Sequence, residues 1–221
     1  EYMSWLANIA TSCEKILQEI RNLQRSELSE AGEGFDVKKQ VGSSTMAHKK
    51  NPIKSENASG LARIVRSFII PTYENALLWH ERDLANSSSE RFTLSHASTL
   101  AEDVMTKTAD VLTNMWVDRA RCLANIHAQR GLVMAEKVMI ELVDHGVPRD
   151  EAHEVLREAS FTALANDEEL IDVCSRTPAI SAAFSAEELE FMFDPNNHVG
   201  VAGEIVDECV ALAREAIQTT S

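Results

Sequence analysis

The run Val41-Gly42-Ser43-Ser44-Thr45-Met46-Ala47-His48-Lys49-Lys50-Asn51-Pro52 holds four features that chemistry can use. Gly42 and the two serines predict a pliable turn whose backbone N–H groups can meet an anion. Ser43 or Ser44 offers a hydroxyl. Lys49 supplies positive charge, and Asn51-Pro52 predicts a helix start whose N-terminus adds partial positive charge. Serine is a poor base at its free pKa, but a local positive field lowers the cost of its alkoxide. A Gly/Ser turn ahead of a Pro-initiated helix, with no chemistry attached, fits the same letters.

Charge sharpens the picture. Across 221 residues, 35 acidic side chains outweigh 21 basic ones, for a net charge of −14. Such a balance excludes non-specific nucleic-acid binding, which needs a basic face. Yet Val37 to Arg66 carries Lys38, Lys39, Lys49, Lys50, Lys54, Arg63 and Arg66 against one acid, Glu56. A basic island in an acidic chain fits an anionic ligand; a solvated loop fits it too. The cysteines Cys13, Cys122, Cys174 and Cys209 are too far apart for a metal motif. Their apolar helical surroundings predict buried free thiols in a reducing compartment. No run reaches the roughly 18 apolar residues of a membrane span, and no signal peptide is visible. The chain begins without Met in a helical pattern and reads as part of something longer.

Helices must position these residues. Only 8 Gly and 5 Pro accompany a 44% hydrophobic composition rich in helix formers, so the fold class is all-α. Met3, Leu6, Ile9, Cys13, Ile16, Leu17, Ile20 and Leu23 recur in threes and fours, one face of a first helix. The polar stretch Ser26 to Gly34 reads as a loop. Pro52 should be the first residue of a second helix, with Ala58, Leu61, Val65, Phe68 and Ile69 inward. Pro71 should kink or break it, and the pattern resumes through Tyr73, Leu77 and Leu78 to stop near Asp83. Ser87-Ser88-Ser89-Glu90 offers an N-cap to a third long helix. Its inward face is predicted as Leu94, Ala97, Leu100, Ala101, Val104, Met105, Val111, Leu112 and Met115. Three such helices predict a bundle, spanning residues 1–117 with the loop at 35–52. Beyond, short helices and frequent turns predict a small helical domain over 118–221. There, His145-Gly146-Val147-Pro148 ends one helix and starts the next, with Asp150 and Glu151 at the positive helix end.

The Gly-Ser-Ser run resembles the signature of the fumarase/aspartase superfamily, Gly-Ser-Ser-x-Met-Pro-x-Lys-x-Asn-Pro, with Ala47 replacing its Pro. That departure removes a rigid φ but no reacting group. Trp79-His80-Glu81-Arg82-Asp83 followed by Ser87-Ser88-Ser89-Glu90-Arg91 resembles the bacterial and archaeal adenylosuccinate lyase family. So does Arg130-Gly131-Leu132-Val133 through His145 to Ala152, which extends the likeness over nearly the whole chain. The resemblance implies a long-helix bundle with a small helical C-terminal domain. It implies β-elimination of fumarate from a nucleotide-linked succinyl group, without metal or other cofactor.

Carried over by position, Ser43 is the base, and Lys49 and Asn51 bind the carboxylate beside the carbanion. Gly42 to Ser44, with Ser44 and Lys50 beside the substrate, help hold that charge. Glu56 falls where the family places a carboxylate paired with a catalytic histidine, and Asn57 contacts substrate. Arg82, Ser87 and Arg91 would hold the nucleotide phosphate. Two guanidinium groups and serine donors suit a phosphate, and Ser87 and Arg91 stand one helical turn apart. Without the paired motif, Arg82 and Arg91 would be read as ion-paired to Glu81, Asp83 or Glu90. His48, His80, His153 and His198 are read as structural or solvated. The family's general acid, a histidine, lies in its N-terminal half, so this chain is expected to lack it. The resemblance further implies a cytoplasmic homotetramer whose sites form where three subunits meet. Two alternatives compete: another superfamily enzyme such as a 3-carboxy-cis,cis-muconate cycloisomerase, and a non-catalytic helical oligomerisation protein.

Overall fold

A computed structural model of the chain describes residues 1–34 and 49–220. They form two compact units, Glu1–Cys122 and Leu123–Ser221.

The first unit is built on three long helices, α1 (Tyr2–Leu23), α2 (Ile53–Ser67) and α4 (Ala85–Asn114), with short α3 (Ile69–Glu74). Their inward stripes are lined by small residues: Ala10, Ala58, Ala62, Ala97 and Ala101 are fully buried, alongside Leu17, Val65 and Val104. Small side chains let helix backbones approach closely, and apolar burial holds them together. Polar ties fix the directions. Gln24, just past α1, reaches the Lys50 carbonyl ahead of α2, while Arg66 at the far end of α2 pairs with Glu14 at 2.5 Å, so these helices run antiparallel. Lys54 at the start of α2 pairs with Asp110 near the end of α4, so that pair is antiparallel too. Residues Ala31–Gly32 (β1) and Trp116–Val117 (β2) form a two-residue antiparallel bridge that closes the end where α1 and α4 stop.

Several expectations are corrected. Pro52 is the N-cap of α2, not its first residue. Helical geometry breaks at Phe68, three residues before Pro71, because Pro71 has no N–H for the Ser67 carbonyl and its ring crowds that group. Helix α3 then stops at Glu74 and does not continue to Asp83. Helix α4 starts at Ala85, so Ser87 to Ser89 lie inside its first turns; the Asp83 carboxylate accepts from the Ala85 N–H at 2.9 Å and does the capping. Leu94, Met105 and Leu112, expected inward, are exposed, as is Ile16. Asn86, Thr93 and Thr108 take inward positions on α4 instead. Of the cysteines only Cys174 is fully buried; Cys13 and Cys122 are half-buried and Cys209 is exposed.

The second unit gathers α6 (Ala135–Asp144), α7 (Arg149–Asn166), α8 (Leu170–Arg176), α9 (Pro178–Ser181) and α10 (Ala186–Phe193) around Val138, Leu142, Leu156, Leu170, Ile180 and Leu189. Gly146, at φ +91°, turns the chain from α6 into α7, a left-handed conformation that glycine adopts without penalty. The helices here are not all short: α7 has 18 residues and the exposed α11 (Ala202–Thr220) has 19. Helix α5 (Arg119–His127) spans the boundary between the units. Among the described residues, no helix is long and apolar enough to cross a membrane.

Candidate functional site

Four predicted residues meet in one cleft. Lys49, Lys50, Asn51 and Glu56 line a space of about 560 Å³ together with Arg21, Gln24, Arg25, Ser26 and Pro52. Four cations and one carboxylate therefore line it, which gives the cleft a net positive wall. The last turn of α1 and the turn after it supply Arg21 and Arg25; the chain entering α2 supplies the rest. Lys49 and Lys50 make no ion pair among the described residues. The positive end of the α2 dipole lies in the same region, although the Lys54 and Ser55 N–H groups are already bonded within the protein.

That start is held from outside. Pro52 offers no capping side chain. The Glu33 carboxylate, 4% exposed, accepts instead from the Lys54 N–H at 3.1 Å, the Ser55 N–H at 2.9 Å and the Ser55 hydroxyl at 2.9 Å. Gln24 completes the frame: its Oε1 accepts from the Glu33 N–H at 2.8 Å and its Nε2 donates to the Lys50 carbonyl at 3.1 Å.

Arg21, Gln24, Arg25 and Glu33 were missed from sequence. Arg21 and Arg25 stand four apart around the end of α1, where basic residues also complement the helix dipole without any ligand. Glu33 read as part of a polar loop. The Gly32-Glu33-Gly34 pattern was the available signal. Ser43, Ser44 and His48 lie outside the described residues. Asn57 is exposed on the first turns of α2.

Arg82, Ser87 and Arg91 lie elsewhere, Arg82 in the turn before α4 and the other two on the first turns of that helix. Glu81 and Arg82 sit in left-handed backbone, at φ +56° and +71°. The turn is tied by the Arg82 N–H to the Trp79 carbonyl at 3.1 Å, and by Asp83, whose other oxygen accepts from the Trp79 N–H at 3.2 Å. Arg82 and Arg91 are exposed and make no ion pair among the described residues, which removes the pairing with Glu81, Asp83 or Glu90. Glu90 bonds Asn86 instead, at 2.9 Å. This cluster and the cleft lie at opposite ends of the bundle. Gln24 adjoins the cleft, whereas Tyr2, at the other end of α1, bonds Ser98 of α4 at 2.8 Å, and Arg91 lies two turns further out. At 1.5 Å per residue those helical stretches add to roughly 40 Å.

Residues 1–67 match a family described as "Lyase", and residues 131–209 match one described as "Adenylosuccinate lyase C-terminus". The adenylosuccinate lyase of Archaeoglobus fulgidus is 43% identical over 218 residues, 99% of this chain and 49% of that protein. That of Methanothermobacter thermautotrophicus is 43% identical over 94% of this chain and 46% of its own length. The chain belongs to the fumarase/aspartase superfamily. It spans about half the length of these superfamily relatives. Solved structures agree on the fold. The 3-carboxy-cis,cis-muconate lactonizing enzyme of Pseudomonas putida superposes with a TM-score of 0.84 at 30% identity, covering 96% of this chain and 46% of that one. A fumarate lyase from Mesorhizobium gives 0.82 at 25% identity, over 94% and 45%.

Proposed function

We propose that this chain carries two parts of an adenylosuccinate lyase active site. The enzyme eliminates fumarate from adenylosuccinate, leaving AMP, and from the succinyl-carboxamide ribonucleotide of purine biosynthesis. Residues 1–117 are its helical-bundle domain and 118–221 its C-terminal helical domain. The carrying observation is the cleft where Lys49, Lys50 and Asn51 meet Arg21 and Arg25. Identities of 37–43% to adenylosuccinate lyases favour this branch over the muconate enzymes that share the fold.

Ser43 removes a proton from the carbon beside a carboxylate. The electron pair moves into that carboxylate, and Lys49, Asn51 and the backbone from Gly42 to Ser44 stabilise the resulting dianion, with Lys50 adding charge. The pair then returns to form the C=C bond and expel nitrogen, which takes a proton from a histidine outside residues 1–221. Glu56 orients that chemistry from the first turn of α2, and Asn57 binds substrate. Arg82, Ser87 and Arg91 hold the phosphate. No cofactor takes part.

Two ends of one substrate cannot lie roughly 40 Å apart, so the cleft of one copy meets the Arg82–Arg91 cluster of another. A cytoplasmic homotetramer with shared sites accommodates this. The exposed apolar side chains of Tyr2, Trp5, Leu94, Met105 and Leu112 on α1 and α4 support burial between copies.

Turnover by the full-length protein is the test. Ser43→Ala should lower kcat by about a hundredfold to ten-thousandfold; a near-normal rate overturns its role as base. Arg91→Ala should abolish AMP binding, whereas an enzyme acting on a phosphate-free substrate would neither bind AMP nor need Arg91.

A further inference from the structure

We infer that Glu33 is a positioning residue for this anion cleft, holding the Lys49–Asn51 segment and Glu56 in their working places; the inference rests on the reading of the cleft given above. Glu33 is the only fully buried carboxylate or cation among the described residues. No ammonium or guanidinium pairs with it there, so its charge is answered by three hydrogen bonds and the positive end of α2. A cap needed only for helix stability is ordinarily local, a Ser, Thr, Asp or Asn at the N-cap. Here Pro52 occupies that position, and the cap comes from a carboxylate more than twenty residues upstream.

The flanking glycines show how tightly this carboxylate is wedged. A Cβ at Gly32 would stand 2.6 Å from the Trp116 ring and 2.8 Å from Gln24 Cγ, and one at Gly34 would stand 2.3 Å from the Asn114 carbonyl oxygen. Gly32-Glu33-Gly34 therefore fits between α1, the end of α4 and α2 only because its neighbours lack side chains. Two routes run from Glu33 to the cleft. One passes through Gln24 to the Lys50 carbonyl, and the other through Lys54 and Ser55 into the turn that bears Glu56. Moving Glu33 displaces, at two points, the wall of the cleft that carries Lys49, Lys50, Asn51 and Glu56 and that would hold the dianion.

The test compares Glu33→Ala, Glu33→Gln and Gly34→Ala with the parent and with Lys49→Ala, all in the full-length protein. Steady-state rates on adenylosuccinate are read well below the melting temperature and normalised to folded protein. Backbone amide exchange is followed over residues 49–56. Because the cleft acts on charge that develops after binding, Glu33→Ala and Gly34→Ala should lower kcat at least about fivefold with little change in KM. Glu33→Gln should recover part of the rate, since its amide oxygen still accepts from the Ser55 N–H. Exchange over 49–56 should quicken while that of residues 3–20 stays as in the parent. A smaller fall in kcat, or one carried by KM, overturns the inference, and where Glu33→Ala fails to fold Glu33→Gln and Gly34→Ala decide it on the same readings. If Lys49→Ala itself turns over normally, the reading of the cleft fails instead, whatever Glu33 does.

Discussion

Arg82 shows how neighbouring side chains can hold one residue in an unfavourable backbone. A left-handed φ of +71° on a side-chain-bearing residue costs roughly 1–2 kcal/mol. Asp83 offsets that cost by accepting from both Trp79 and Ala85, which fixes the turn and begins α4 at once. The guanidinium is left exposed beside the helix start. Cys174 illustrates the opposite case, a reactive group silenced by its surroundings. Burial in the second unit pushes its thiol up to about 12, because a thiolate there would lose its hydration. At pH 8 it should remain unmodified by a thiol reagent in the native protein and react only once denaturant opens the core. Labelling of Cys174 at a rate typical of a free thiol in the folded state would contradict this placement.

At the scale of elements, helix boundaries are decided by hydrogen-bond supply. The split between α2 and α3 follows from the missing Pro71 N–H. Helix α10 begins with a full capping box. The Ser185 hydroxyl accepts from the Glu188 N–H at 3.3 Å, while Glu188 accepts from the Ser185 N–H at 2.8 Å. The Ser185 backbone N–H, then its hydroxyl, hold the Glu188 carboxyl below the ordinary value of 4.5. A lowered carboxylate pKa contributes stability that is present above the ordinary value and lost as pH falls through the lowered one. Ser185→Ala should therefore lower the melting temperature by a few degrees at neutral pH. The gap from the parent should narrow in acid below pH 4.5. A gap that widens in acid would show that the box is not the source.

For the whole molecule, the decisive fact is the distance between the cation-lined cleft and the Arg82–Arg91 cluster. If separate copies supply the two ends, Ser43→Ala and Arg91→Ala proteins, each inactive, should regain turnover when dissociated together and reassembled. Random mixing in equal amounts leaves about a quarter of sites with both ends intact. No recovery from correctly reassembled hybrids would mean that each copy builds its own site.

The all-α class and superfamily membership were legible in the letters, because helical periodicity is local and a Gly-Ser-Ser…Lys-x-Asn-Pro run names its own relatives. Lys49, Lys50, Asn51 and Glu56 were legible for the same reason: a short contiguous stretch places them on one wall of the cleft. Arg21 and Arg25 entered that cleft only through the antiparallel packing of α1 against α2, a contact between residues more than twenty positions apart. Exposure of Leu94, Met105 and Leu112 likewise depends on which stripe of α4 its neighbours cover, and periodicity alone does not choose between adjacent stripes. The glycines flanking Glu33 mark a tight passage in the sequence, but not its role, since a buried carboxylate and a surface one are spelled alike. Its role depends on a helix end that arrives from elsewhere in the chain, and only the folded arrangement brings that end to it.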